Sequence, residues 1–148
     1  MRLSTKFSDA LHLLVFIDVF SDIKITSDLI AISIKTSPVV VRRLIGSLRD
    51  AGIIINDPNN HQPIFAKEPS EITMFDVYLA TEGHTALFEI DHDTNAECTV
   101  GGNIQEVLNG FYTNAEAAAY KELNRISMQE VIDQILIADK LKKARAAQ

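Results

Sequence analysis

The chain has 148 residues, of which 47% are hydrophobic and 23% charged, and its formal net charge is −6 at pH 7. This length suits one ordinary domain with an appended element, and the apolar content excludes a disordered chain. No apolar run approaches the ~20 residues that a membrane-spanning helix needs, and we expect no secretory signal at the N-terminus. The single cysteine, Cys98, excludes an internal disulfide and fits the reducing cytoplasm, where we expect the protein to reside.

The charge is unevenly distributed along the chain. Residues 1–52 carry seven basic and five acidic side chains, so the excess of acidic residues lies in the remainder. A DNA-binding surface needs positive charge only where it meets the duplex. The net negative charge therefore does not exclude nucleic acid as a partner.

Two helices are predicted before residue 36. Ser4 or Thr5 is expected to cap the first helix, which ends near Phe20 and has little polar face. Thr26 has the sequence context of an N-cap and is expected to begin a short second helix. The apolar side of this second helix is expected to consist of Leu29, Ile30 and Ile32.

A third helix has the clearest start signal in the sequence. Ser37 supplies a capping hydroxyl, and Pro38 occupies the first helical position. Apolar residues then follow at i, i+3, i+4 and i+7, which predicts one buried stripe formed by Val41, Leu44, Ile45 and Leu48. Gly52 is expected to end the helix. With the tight connection over residues 33–36, the second and third helices constitute a helix-turn-helix.

A hairpin and a fourth helix complete the predicted DNA-binding domain. Residues 53–56 and 63–66 are expected to form two strands joined by a turn-rich segment. A hairpin directly after a helix-turn-helix is a wing. The fourth helix is expected to begin at Thr73 and end at Gly83. Residues 1–83 are therefore interpreted as a winged helix-turn-helix domain.

The remainder of the chain is expected to mediate dimerisation. Residues 84–102 show no periodicity and are interpreted as a loop and a candidate sensor segment. Asn103 with Glu106, and Ser127 with Glu130, are capping signals for two helices within residues 103–148. The apolar stripe of the first of these helices needs a cover. We expect a second copy of the chain to provide it, the alternative being that the helix folds back on its own domain. The predicted dimer contacts are Ile104, Val107, Leu108, Phe111, Ala115 and Ala118.

The predicted fold class is mainly α with a small β-hairpin wing, and several segments resemble the Rrf2 family of winged helix-turn-helix regulators. The resemblance covers nearly the whole chain and rests on residues 1–6 (MRLSTK), 47–52 (SLRDAG), 69–77 (PSEITMFDV), 82–83 (EG) and 126–131 (ISMQEV). It implies a dimeric DNA-binding transcription factor, usually a repressor. It also implies an effector site between the fourth helix and the long helix.

Two features depart from the family pattern. Members that bind iron–sulfur clusters carry three cysteines in the sensor region, whereas this chain has only Cys98. Several thiolates are needed to hold such a cluster, so no cluster and no other cofactor is expected. The wing has Asn59-Asn60-His61-Gln62-Pro63 in place of the family's glycine-rich run. These departures place the chain with the cluster-free members.

The third helix is expected to present its outward residues to the major groove of double-stranded DNA. Arginine pairs bidentately with guanine, and exposed valines suit thymine methyl groups. Residues near the first helix N-terminus, in the turn and in the wing suit the phosphate backbone or minor groove. The predicted DNA contacts are Arg2, Ser4, Lys6, Lys35, Ser37, Val39, Val40, Arg42, Arg43, Ser47, Arg49, His61 and Gln62. Thr26 and Ser27 are further candidates for contact with the DNA phosphate backbone.

The sequence gives little support for a redox, metal-binding or catalytic function. Cys98 is a candidate redox sensor, although nearby acids such as Asp91, Asp93 and Glu97 are expected to oppose its ionisation, and an unreactive cysteine is the alternative. His84, His92 and Cys98 match no standard zinc spacing, so no metal site is expected. No catalytic motif is present, so an enzyme is not expected. We expect the protein to be a homodimeric repressor that binds a pseudo-palindromic operator. The alternative is a winged-helix protein-interaction module without specific DNA binding.

Overall fold

The computed structural model describes residues 4–148, which form six α-helices and one antiparallel hairpin. The elements in chain order are α1 (Lys6–Val19), α2 (Ser27–Ile34), α3 (Pro38–Asp50), β1 (Ile54–Asn56), β2 (Pro63–Phe65), α4 (Met74–Glu82), α5 (Ile104–Arg125) and α6 (Met128–Ala146). In the hairpin, Ile54 lies opposite Phe65 and Asn56 opposite Pro63. The predicted class, mainly helical with a small wing, is confirmed.

The core of the molecule lies around α1. Leu13 and Leu14 of α1 are fully buried, and they share one apolar cluster with Leu48 of α3. Full burial of a leucine side chain contributes about 1.5–3 kcal/mol, so this cluster dominates the stability of the winged domain. The first turns of α6 join the same cluster through Met128 and Ile132.

The start of α4 is tied to the junction between α5 and α6. Thr73 and Asp76 form a reciprocal capping box, as the sequence predicts for a helix beginning here. The backbone N–H of Met74 donates to the carbonyl of Ile126 (2.8 Å), and that of Met128 donates to the carbonyl of Ile72 (2.7 Å). These bonds fix the beginning of α6 against the winged domain.

Three local expectations are wrong. Ile32 is 72% exposed and Leu29 is 39% exposed, because α2 turns Ile30 and Ala31 towards the core instead. Asn103 makes no side-chain cap at α5. Its amide donates to the carbonyl of Thr99 (2.7 Å) and stabilises the preceding loop.

At α1, Thr5 makes no side-chain cap, whereas Ser4 Oγ accepts the N–H of Lys6 (3.1 Å). The other helix boundaries agree with the sequence signals. Thr26, Ser37 and Ser127 each accept a backbone N–H as N-caps. Gly52 follows α3 with φ +75°, a conformation that glycine adopts without strain. The described residues 84–102 form turns and irregular backbone, as expected. None of the helices within residues 4–148 is long and apolar enough to cross a membrane.

Candidate nucleic-acid interface

The helix-turn-helix is set by a short sequence of local interactions. Thr26 Oγ1 accepts the N–H of Leu29 (3.2 Å) at the start of α2. At its end, Lys35 adopts a left-handed conformation with φ 64°, and the N–H of Thr36 donates to the carbonyl of Ala31 (3.0 Å). Ser37 Oγ then accepts the N–H of Val40 (3.3 Å) at the start of α3. The chain thus reverses within three residues and presents α3 at the surface.

The two sides of α3 differ sharply. Val41, Leu44 and Leu48 are buried, as the apolar spacing predicts, whereas Ile45 of the same stripe is only half-buried. Arg42, Arg43 and Arg49 are exposed on the other side. Val39 is 48% exposed at the first turn. This side therefore offers cations and a methyl-bearing side chain to an incoming ligand.

Arg42 and Arg43 lie on opposite flanks of α3. Arg42 lines a groove of about 490 Å³ between α2, α3 and the wing, together with Lys24 and His61. Arg43 lines a second groove, of about 460 Å³, together with Lys6 and Ser47. Basic side chains thus extend from the wing, across α3, to the beginning of α1, and Asp50 is the acidic residue that lines the second groove. Such an arrangement suits a polyanion that spans more than one element.

The wing is joined to α3 and is organised by its own side chains. Arg49 Nη2 donates to Asn56 Oδ1 (2.7 Å), which links the third helix to β1. Asp57 Oδ1 accepts the N–H of Asn59 (2.7 Å), and Asn60 Oδ1 accepts the N–H of Gln62 (2.9 Å). These polar bonds shape the tip without the family's glycine-rich run.

The remaining predicted contacts are distributed around this surface. Ser4 and Lys6 are exposed, and the Lys6 N–H donates to Ser4 Oγ (3.1 Å). Ser37 and Lys35 are exposed at the turn, and His61 is exposed at the wing tip with φ 61°. Gln62 and Ser47 are half-buried. Arg2 lies outside the described residues.

Val40 does not fit the predicted outward set. It is half-buried and packs against the core, because its position on α3 turns it towards Leu44 and the groove that holds Arg43. Gly46 was missed, although it lines the same groove. The signal that could have found it is its spacing from Val39: seven residues place two side chains within about 20° of each other around a helix.

The long helix α5 presents a different surface. Within the described chain, α5 buries none of its residues. Phe111 is 66% exposed and Val107 is 51% exposed, and Ala115 and Ala118 are exposed beside them. Ile104 and Leu108 are half-buried. All six predicted dimer contacts thus lie on a helix that the single chain leaves largely uncovered.

The region between α4 and α5, where the resemblance implies an effector site, is filled by aromatic rings. The ring of Tyr120 lies 5.1 Å from that of Phe75 and 5.5 Å from that of Tyr78, measured between centroids. Burial, followed by the neighbouring hydroxyl of Tyr120, raises the pKa of Tyr78 to about 12. The phenol therefore remains neutral at physiological pH.

Cys98 lies exposed in the loop that precedes α5. The backbone N–H groups of Gly101 and Val100 act on its sulfur and lower the pKa of the thiol. The expected opposition of Asp91, Asp93 and Glu97 to ionisation therefore does not dominate, since the pKa of the thiol is lowered. Across residues 4–148, no three His, Cys, Asp or Glu side chains converge on a site for a metal ion.

The comparisons with known proteins identify the class. The chain matches the Rrf2 family, described as iron-dependent transcriptional regulator, over residues 3–134. YwnA of Bacillus subtilis (strain 168), whose name assigns it to the HTH-type transcriptional regulators, is 31% identical over 133 residues, which are 90% of this chain and 98% of YwnA. The protein is a DNA-binding transcriptional regulator and not an enzyme.

Solved structures agree with this assignment. A crystal structure described as a DNA-binding protein is 30% identical and superposes with a TM-score of 0.67 over 86% of this chain and 98% of that one. CymR, the global cysteine regulator of Bacillus subtilis, has a TM-score of 0.66 at 17% identity over 90% of this chain and 98% of its own. The chain belongs to the Rrf2 family.

The iron in the family's description does not fit the residues present here. Iron–sulfur clusters are held chiefly by several cysteine thiolates. The sequence has one cysteine, and Cys98 is exposed with no converging metal-ligating side chains among the described residues. The residues present therefore do not fit an iron–sulfur cluster.

Proposed function

We propose that this regulator is a repressor that binds a pseudo-palindromic operator as a homodimer. Each α3 would enter a major groove, and the two recognition helices would be presented about 34 Å apart or a multiple of that distance. The observation that carries the proposal is the exposed side of α3, where Arg42 and Arg43 diverge into two basic grooves while the apolar stripe is buried.

Base reading is assigned to the outward residues of α3. Arg42 and Arg43 have the reach to pair with guanine, and Val39 offers methyl groups to thymine. Their opposite flanks mean that the two arginines address different parts of the site. Arg49 is engaged with Asn56 and so positions the wing.

Phosphate contacts are assigned to the polar and basic residues that surround α3. Such contacts fix the register of the protein on the duplex but carry no sequence information. The set consists of Ser4, Lys6, Lys35, Ser37, Ser47, His61 and Gln62.

The dimer is assigned to α5. A helix that exposes Phe111 and Val107 along one stripe is not covered by its own domain. A twofold pair buries the same stripe from both subunits, and closed twofold pairs are the commonest oligomers. This arrangement sets the distance between the two recognition helices.

The test is a mobility-shift titration at fixed salt, using a duplex that the wild-type protein enriches from a randomised pool. We expect Arg42→Ala and Arg43→Ala each to weaken binding by about 1–3 kcal/mol where the arginine reads a base. Where it contacts a phosphate instead, the salt slope falls by about 1. Arg145→Ala, which removes an exposed arginine near the end of α6, serves as the control and should bind like the wild type.

Two results would contradict the proposal. Unchanged binding by both arginine variants would show that α3 is not the reading surface. Binding to duplex DNA that does not weaken as salt rises would indicate that phosphates are not contacted, and would favour a protein partner for this surface.

A further inference from the structure

Gly46 is a glycine for which the fold of the single chain gives no reason. Among residues 4–148, no atom beyond its own stretch of helix lies within 4 Å of the place that a Cβ at Gly46 would occupy. Its backbone is helical, unlike that of Gly52 and Gly83, which have positive φ. A Cβ at Gly101 would lie 2.3 Å from the carbonyl oxygen of Asn95, so that glycine is explained by packing.

Gly46 makes α3 less stable than an alanine at the same position would. Glycine in a helix interior is less favourable than alanine because it loses more backbone freedom on folding. Nothing within the described chain prevents an alanine at position 46. Packing within the described chain therefore does not account for the missing side chain.

The position of Gly46 indicates where that reason lies. It is seven residues after Val39, so the two lie on the same side of α3, where Val39 is exposed and Gly46 is half-buried. Arg43 and Arg42 precede it by three and four residues, which makes both its neighbours on the helix surface. Gly46 thus lies in the centre of the surface that meets DNA in the proposed function, between the two arginine flanks.

We propose that Gly46 is a positioning residue for DNA binding. The absent side chain lets the backbone of α3 approach the duplex in the major groove closely enough for Arg42 and Arg43 to reach base edges from both flanks. A methyl group at this point would hold the helix away from the DNA. This inference rests on the proposed function of α3. It adds that Gly46 determines how deeply α3 enters the major groove.

The decisive variant is Gly46→Ala, measured for both stability and DNA affinity. We expect the melting temperature to rise by about 2–4 °C, since the helix gains alanine without a clash. We expect the Kd for the enriched duplex to rise at least about tenfold. A stabilised protein that binds DNA less well cannot be explained by damage to the fold.

Gly110 provides a matched control within α5. It is also helical and has open space around the place of its Cβ, and it is exposed where Gly46 is half-buried. Gly110→Ala should raise the melting temperature by a similar amount and leave the Kd for DNA unchanged. Sedimentation analysis of both variants should show the oligomeric state of the wild type.

Gly46→Lys separates a steric from an electrostatic role. If only charge mattered at this position, an added cation would tighten binding to the enriched duplex. Close approach predicts a loss of at least tenfold despite the added charge.

The outcomes distinguish this inference from the function on which it rests. If Gly46→Ala or Gly46→Lys binds the enriched duplex as tightly as the wild type, while Arg42→Ala and Arg43→Ala bind weakly, the inference is overturned and α3 remains the reading helix. A wild-type protein that enriches no duplex overturns both.

Discussion

The helices α3 and α5 both leave a long side uncovered, but the two sides have opposite chemistry. On α3, the buried Val41 and Leu48 anchor the helix, and the exposed side carries arginines around Gly46. On α5, nothing within the described chain is buried, and the exposed side carries Phe111 and Val107.

This difference shows what each helix lacks. The exposed side of α3 suits a polyanion, because its cations remain hydrated and the buried side already anchors the helix to the core. The surface of α5 is completed by apolar contact, because exposed aromatic and aliphatic side chains gain free energy when they leave water. One helix is therefore suited to bind DNA, as proposed above, and the other is suited to pair with a second copy of itself.

The buried side of α3 can be tested by shortening one of its core side chains. Leu48 is fully buried, so Leu48→Ala should reduce the free energy of unfolding by about 2–5 kcal/mol through lost burial and the cavity that remains. Urea denaturation followed by circular dichroism measures this loss. Arg42→Ala, on the exposed side of the same helix, should change stability by no more than about 0.5 kcal/mol. Equal effects of the two variants would mean that the two sides of α3 do not differ as described.

The proposed dimer contact of α5 can be disrupted without unfolding the chain. Phe111→Glu should weaken the dimer by about 2–4 kcal/mol, since it places a charge in a contact that must lose water. Analytical ultracentrifugation over a range of concentrations measures the dissociation constant. Ala117→Glu adds the same charge at an exposed position outside the predicted stripe and should leave the dimer intact. A fully dimeric Phe111→Glu protein would show that α5 pairs elsewhere or not at all.

Thr73 tests how firmly α5 is connected to the domain that carries α3. Its hydroxyl accepts the N–H of Asp76 (3.1 Å) and donates to Asn124 Oδ1 (3.1 Å) near the end of α5. Thr73→Ala should reduce the free energy of unfolding by about 0.5–2 kcal/mol, as for other lost helix caps. Thr73→Ser keeps both bonds and should retain most of the stability. If both variants melt like the wild type, the cap is unimportant.

Cys98 gives the smallest expected effect, in the loop that separates the two regions. Its pKa is lowered by backbone N–H groups of Gly101 and Val100, so the reactive thiolate should persist to lower pH than in an unstructured cysteine peptide. The rate of iodoacetamide alkylation should therefore reach half its maximum at a lower pH than for the peptide. The same midpoint in protein and peptide would show that these amides do not act on the sulfur.

Most of the winged domain is predictable because its signals are local. Ser37 and Pro38 determine the start of α3, and the spacing of Val41, Leu44 and Leu48 determines which side is buried. Because the remaining side of a helix must face away from the core, the exposure of Arg42 and Arg43 follows from the same pattern.

The errors arise where neighbouring elements decide the outcome. Ile32 is an apolar residue but lies exposed, because α2 buries Ile30 and Ala31 and turns the opposite side to the surface. Val40 has the position of an outward residue but packs against the core. Asn103 bonds to the loop instead of its own helix, since the preceding turn offers the carbonyl of Thr99.

Caps and residue spacing act over a few residues, so the amino-acid sequence alone specifies the order of the elements, the two sides of α3 and the apolar stripe of α5. Three features depend instead on how the chain packs: Met128 and Ile132 of α6 complete the core, Arg42 and Arg43 line different grooves, and Gly46 has open space beside it. These properties depend on segments distant in sequence, whose packing is not specified by any local pattern.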